Sequence, residues 1–444
     1  MAEYREPGLP PEASAPTPEA PALDLAEVLR IRNDFPLLAH PVNGRTLVYL
    51  DSGATSQNPQ SVLEAEQEFY EQRNSAVHRG AHTLAAHATV AFEDARAAVA
   101  GFVGAQEEEI VWTANATAGL NLLAYAFSNA SVGEVSAEAR RFALGPGDEL
   151  VVTEMEHHAN LVPWQELCRR TGASLKYIPL TDDGTLDLEE ATRVIGPKTR
   201  VLAFTHVSNV LGTINPVSTL VGLARAVGAL VVLDACQSAP HLPLDVKALD
   251  VDFAVFSGHK MLGPTGIGAL YGRQELLDAL PPVTTGGSMI TTVTMERSGY
   301  LPAPQRFEAG TQPVSQAIAM AAAARYLMET GMDRIHAREG VLAQRMLAGL
   351  AEIPGIRVLG PAAGIERAAL VAFDVDGVHA HDVGQYLDAQ GIAVRVGHHC
   401  AQPLHRRYGL TATTRASAYL YTTEDEVDAF LQGVAGVRGF FGVK

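Results

Sequence analysis

Cysteine is scarce: Cys168, Cys236 and Cys400 are the only three in 444 residues. Three thiols cannot form a disulfide framework for a chain of this size, so a reducing, cytoplasmic setting is expected. Basic charge is short too, with 33 Lys and Arg against 50 Asp and Glu, a formal net charge of −17. That balance argues against a nonspecific nucleic-acid partner. No apolar run approaches the roughly 20 residues of a membrane span, so no membrane partner is expected. The N-terminus carries Glu3, Glu6 and several prolines, without a basic start or an apolar stretch, and does not read as a signal peptide. No internal repeat is evident.

What is present fits an ordinary globular protein, 47% hydrophobic and 19% charged, and long enough for more than one core. Residues 1–24, rich in Pro, Ala and Glu, read as a disordered tail. The stretch from Asp24 to Asn43 predicts a helix and a turn, followed by a short strand at 47–50. Further on, apolar runs at 110–113, 149–153, 174–178, 200–205, 229–233, 252–256 and 267–271 read as strands. Between them, 88–103, 116–127, 161–172 and 217–227 have helical spacing. Such alternation predicts an α/β fold around a mostly parallel sheet. After about residue 305 the character changes to helices at 314–330 and 332–352, strands at 369–373 and 392–396, and a final helix at 423–439.

Ligands of such sheets gather at the carboxyl ends of the strands, and the chemically suggestive residues lie there. Lys260 closes Phe256-Ser257-Gly258-His259-Lys260 ahead of a Gly/Pro-rich turn. An amine among small residues suits a Schiff base; a surface lysine in a turn is the plainer alternative. Asp234 ends Val231-Val232-Leu233, where a carboxylate is costly unless it meets a cation. The protonated ring nitrogen of pyridoxal phosphate is one such cation, and capping the next turn is the other reading. Thr117, with the amides opening the helix at 116, and Ser257 and His259 supply donors for a phosphate. One of the pair His157 and His158 suits stacking on a pyridine ring, and Asn209 suits a donor to the ring oxygen. Arg415 offers a bidentate fork for a carboxylate. Cys400 follows Gly397-His398-His399, a setting for an accessible, ionisable thiol. Cys236 reads as a buried small hydrophobe and Cys168 as inert on an amphipathic helix. A Schiff-base lysine together with a reactive thiol points to a pyridoxal-phosphate enzyme that moves sulfur.

The ordered motifs are Tyr49-Leu50-Asp51-Ser52, His78-Arg79-Gly80-Ala81-His82-Thr83-Leu84, Glu156-His157-His158-Ala159-Asn160 and Ser208-Asn209-Val210-Leu211-Gly212. The lysine and cysteine loops, Phe307-Glu308-Ala309-Gly310-Thr311 and Arg415-Ala416-Ser417 extend the series. Over residues 25–444 the chain resembles the group II cysteine desulfurases of the sulfur-mobilisation (SUF) type, class V aminotransferase-like enzymes. The resemblance implies fold type I, with a large cofactor domain at 47–328 containing a mostly parallel seven-stranded sheet. A small α/β domain is expected at 25–46 and 329–444. It implies pyridoxal 5′-phosphate held by Lys260, with Asp234 at the ring nitrogen, His157 on the ring, and Gln237 and Asn209 at its oxygen side. Thr117, Ser257 and His259 are then the phosphate ligands, joined by Thr311 from a partner subunit of a homodimer. Arg415, with Asn209 and His78, binds L-cysteine, and Cys400 carries the persulfide to an acceptor protein, a SUF scaffold or shuttle. Selenocysteine lyase is the alternative activity, and no metal is expected.

The chain departs from that family pattern at Ala116-Thr117-Ala118, where Thr-Thr-Glu is common, at Gly53, at Thr422-Thr423, and in a longer stretch at 128–146.

Overall fold

The computed structural model describes residues 21–132 and 135–443, and most of the expected tail at 1–24 lies outside them. The seven expected strands form one sheet. Its order is Ile110–Thr113, Gly268–Gly272, Phe253–Ser257, Leu230–Asp234, Thr199–Thr205, Glu149–Thr153, Ser174–Ile178. Gly268–Gly272 runs antiparallel to both neighbours and the other pairings are parallel. Side chains alternate across the sheet as period-2 geometry requires. Val151, Leu202, Val231 and Ala254 pack on one side with helices Thr83–Phe102, Val217–Val227 and Val314–Thr330. Val152, Val201, Val232 and Val255 pack on the other with Ala116–Ser131 and Val162–Thr171. Both faces of the inner strands are therefore buried, which explains why they read as continuous apolar runs, whereas the edge strand Ser174–Ile178 is largely exposed.

Strands Leu230–Asp234, Phe253–Ser257 and Gly268–Gly272 each end one residue beyond the expected limit. In each case the ladder carries past the last bulky apolar residue. Helices Gln60–Glu68, Leu188–Val194 and Gln274–Ala279 add to those read from the sequence.

The C-terminal part contains a four-stranded antiparallel sheet ordered Ile356–Val358, Leu370–Val375, Thr413–Ser417, Arg395–Gly397. Leu342, Met346, Phe373, Val383, Phe430 and Val434 form its core with helices Met332–Ala351, Ala380–Asp388 and Glu424–Phe440. The helix Leu25–Asn33, capped by Asp24, docks here through Arg32, whose guanidinium pairs with Glu426 at 2.9 Å. In the 128–146 stretch the helix continues to Ser131, and Phe142 stacks on Phe127 with ring centroids 5.4 Å apart.

Candidate active site

The carboxyl ends of the central strands converge on a cavity of about 490 Å³. Ten of the predicted residues line it: Lys260, Cys400, His157, Asp234, Gln237, Asn209, Ser257, His259, Thr117 and Arg415. Chain segments more than two hundred residues apart reach it, because parallel strands place their ends on one edge of the sheet.

Asp234 closes its strand in register with Thr205 and Val255 and is only 4% exposed. Its Oδ1 accepts the Cys236 amide at 3.0 Å, and no cation among the described residues lies within ion-pair distance. A buried carboxylate without a cation is expensive, so its position on the cavity wall fits a positively charged ring nitrogen. Gln237 is tied to the Gly53 carbonyl at 2.7 Å.

Opposite the sheet, Asn115 caps the helix Ala116–Ser131 by accepting the Ala118 amide at 2.9 Å. The Ser257 hydroxyl accepts the Ala116 amide at 2.9 Å, joining the helix start to the lysine loop. At Gly268 an added Cβ would stand 2.8 Å from Asn115 Cα, so only glycine lets strand and helix N-terminus approach this closely. With Thr117 and His259 also lining the cavity, the helix start suits a phosphate. The His259 carbonyl is fixed by the Ser56 amide at 2.9 Å, which seats the lysine loop.

His157 is pushed down to about 4, first by burial and then by the Lys260 charge. His259 falls to about 4 for the same two reasons. Both rings are therefore neutral at physiological pH. Beneath them, burial lifts the Glu156 carboxyl to about 8, and it accepts from the Thr153 and Asn160 side chains at 2.6 Å each.

Arg415 lies in the middle of the four-stranded sheet, 3% exposed, and burial lowers it to about 10. Its Nη1 donates to the Asn209 carbonyl at 2.8 Å and its Nη2 stands 3.6 Å from Asp51. Its Nε is buried without a partner among the described residues. Asp51 and Arg395, paired at 2.9 Å, support this guanidinium and carry no role in the sequence-based expectations. Asp51 gave the same signal as Asp234, a carboxylate directly after a short apolar strand.

Cys400 is exposed and lines the cavity, and it follows His399 in a left-handed pair with φ of +50° and +55°. Cys236 also lines the cavity, half-buried, with its thiol pushed up to about 12 by burial and the nearby Asp234 charge. Burial lifts Cys168 to about 11. Neither is an effective nucleophile near neutral pH.

Two expected residues do not reach this cavity within one chain. Thr311 is on an adjoining cavity that shares Ala114 and Gly266 with the first. His78 is exposed at φ +70°, and its ring is tied to Glu93 at 2.8 Å on the helix Thr83–Phe102.

The aminotransferase class-V family profile matches residues 48–430. A probable cysteine desulfurase 2 of Mycobacterium leprae is 54% identical over 413 residues, 93% of this chain and 97% of its own. A probable cysteine desulfurase of Streptomyces coelicolor is 52% identical over 420 residues, 94% of this chain and 99% of its own. Among solved structures, the apo cysteine desulfurase of Thermococcus onnurineus has a TM-score of 0.86 at 39% identity, covering 95% of this chain and 100% of that one. The Escherichia coli cysteine desulfurase CsdA, in an S-sulfonic acid form, has a TM-score of 0.84 at 37% identity, covering 93% of this chain and 98% of that one. This chain, with its fold type I architecture and pyridoxal 5′-phosphate as cofactor, belongs to the class-V aminotransferase family and within it to the cysteine desulfurases.

Proposed function

We propose that the enzyme converts L-cysteine to L-alanine and collects the sulfur as a persulfide on Cys400. The observation that carries this reading is that Lys260, the unpaired Asp234 and the exposed Cys400 line one cavity.

The bound cofactor supplies an electron sink for the substrate α-carbon. Lys260 would anchor it covalently, Asp234 would face its ring nitrogen and His157 its ring, with Gln237 and Asn209 at the oxygen side. Thr117, Ser257 and His259 would hold the phosphate. Arg415, a guanidinium on the cavity lining, binds the substrate carboxylate and fixes the α-carbon near Lys260. The Lys260 amine, released by the incoming substrate, takes the α-proton. The Cys400 thiolate then attacks the substrate sulfur. An S–S bond forms, the substrate C–S bond breaks, and its electron pair stays with the carbon fragment, which takes up protons and leaves as alanine. A separate thiol is needed for this step, whereas simple amino transfer would need none.

The persulfide then passes to an acceptor thiol on a SUF scaffold or shuttle protein for iron–sulfur cluster assembly, in the cytoplasm. In a homodimer, Thr311 and the exposed His78 would serve the second protomer's cavity. The division into a large domain at 47–328 and a small one at 25–46 and 329–444 puts the amine and the thiol on different domains. Cys400→Ser should keep the cofactor absorbance and lose alanine production in the presence of a reductant; robust turnover in that variant would reject the role of Cys400. Relative rates on cysteine and selenocysteine separate this activity from a selenocysteine lyase.

A further inference from the structure

Residues in the loops that follow two strands of the large sheet hold the backbone around Cys400. The helix Gln402–Arg407 follows the cysteine directly, and its N-cap residue, Ala401, has no side chain able to cap it. The Gln402 amide instead donates to Nε2 of His158 at 3.1 Å. The His158 amide donates to the Cys400 carbonyl at 2.7 Å. Asn209 Nδ2 donates to the His399 carbonyl at 2.7 Å. The backbone on both sides of the sulfur-bearing residue is thus held by loops that follow two strands, Glu149–Thr153 and Thr199–Thr205. Two successive non-glycine residues in left-handed conformation are disfavoured and persist only where their surroundings over-determine them.

A ring nitrogen that accepts an amide proton must carry none of its own, so His158 serves here as a neutral imidazole protonated on Nδ1. The titratable groups facing it agree with that state. The His398 ring stands 5.5 Å away and the His157 ring 6.4 Å, and Glu166 and Arg170 line the groove beside it. Burial, then His398, holds the ring below the ordinary histidine range.

We propose that His158 is a positioning residue for Cys400, its Nε2 capping the helix after the cysteine and so fixing the thiol in line with the substrate sulfur. The proposal rests on the reading of Cys400 as sulfur acceptor and adds the group that aims it.

The test compares His158→Gln, whose side-chain oxygen reaches the position of Nε2, with His158→Asn, which is one bond too short. Each is measured as holoenzyme for coenzyme affinity, for α-proton exchange on L-alanine, and for alanine formed from cysteine. H158N should lose about tenfold in kcat for alanine formation, equivalent to about 1.4 kcal/mol in the barrier. Its KM, coenzyme affinity and α-proton exchange should stay unchanged, and H158Q should recover most of the rate. The acid limb of the pH–rate profile set by this imidazole should be absent in H158Q. Equal kcat in H158N and the unaltered chain, or equal losses in all three measurements, would overturn the proposal. If H158N fails to retain the coenzyme, H158Q decides alone: a rate within about threefold of the unaltered chain supports the capping role, and a tenfold loss refutes it. Failure of the underlying reading would show differently, as alanine formation by C400S with His158 intact.

Discussion

Replacing Asp234 by Asn should move the stability of the enzyme in opposite directions with and without its cofactor. The residue is 4% exposed and its one backbone donor, the Cys236 amide at 3.0 Å, can be met equally by an Asn oxygen. The substitution therefore changes charge while keeping shape. A carboxylate about 4 Å from a ring cation at an effective dielectric near 20 gains about 4 kcal/mol. A charged hydrogen bond scored by mutation gives a lower figure, about 1.5–3 kcal/mol. Together these predict that D234N binds pyridoxal phosphate about 10- to 1000-fold more weakly, as measured by titrating coenzyme into resolved apoprotein. The link to Lys260 is common to both proteins and cancels in the ratio. In the apoprotein the same carboxylate is buried without a cation, so D234N should unfold at higher temperature than the parent apoprotein. Unchanged coenzyme affinity, or a D234N apoprotein less stable than its parent, would refute the assignment of Asp234 to the ring nitrogen.

Two further outcomes follow from the same geometry. Arg415→Lys keeps a positive charge but loses the planar fork and the Nε donor, so kcat/KM for cysteine should fall by about 100-fold with the cofactor spectrum intact; an unchanged steady-state KM would count against carboxylate binding. His206 is buried, and desolvation depresses it from 6.5 to about 4. The unfolded chain therefore binds the extra proton first, and the stability due to this group is complete above pH 6.5 and lost as pH falls toward 4. The loss is on the order of 3 kcal/mol at the acid end. Denaturant melts of His206→Gln across that range should show a shallower acid decline, and a parallel curve would contradict it.

The sheet was readable because its inner strands, such as Leu230–Asp234 and Phe253–Ser257, are buried on both faces and so appear as nearly uninterrupted apolar runs, which also concealed where they end. Asp234 and Ser257 belong to the ladder, but a polar side chain at a strand tip looks like the start of a turn. The strand Thr413–Ser417 escaped for a related reason: Thr413-Thr414-Arg415-Ala416-Ser417 has no apolar alternation, although all five residues are buried. Its Thr413 hydroxyl meets tertiary partners, His399 and His405, both at 3.0 Å, and no local pattern announces those. In the site, Lys260, Asp234 and Cys400 carry strong local signatures. Local sequence alone did not separate His158 from His157, and the family resemblance put only His157 on the ring; adjacent imidazoles look alike until folding sends one to the cavity and the other to the cysteine loop. Asp51 and Arg395 act by supporting Arg415 through space, and their spacing along the chain holds no trace of that pairing.

The left-handed turn that bears Cys400 both lines the cavity and leaves that residue exposed to solvent. Sulfur delivered to that atom has therefore already reached the perimeter of the molecule. On the proposed function, uptake from one direction and surrender to the other would require no travelling arm, and the hand-off would depend on how closely an incoming thiol can approach a fixed point.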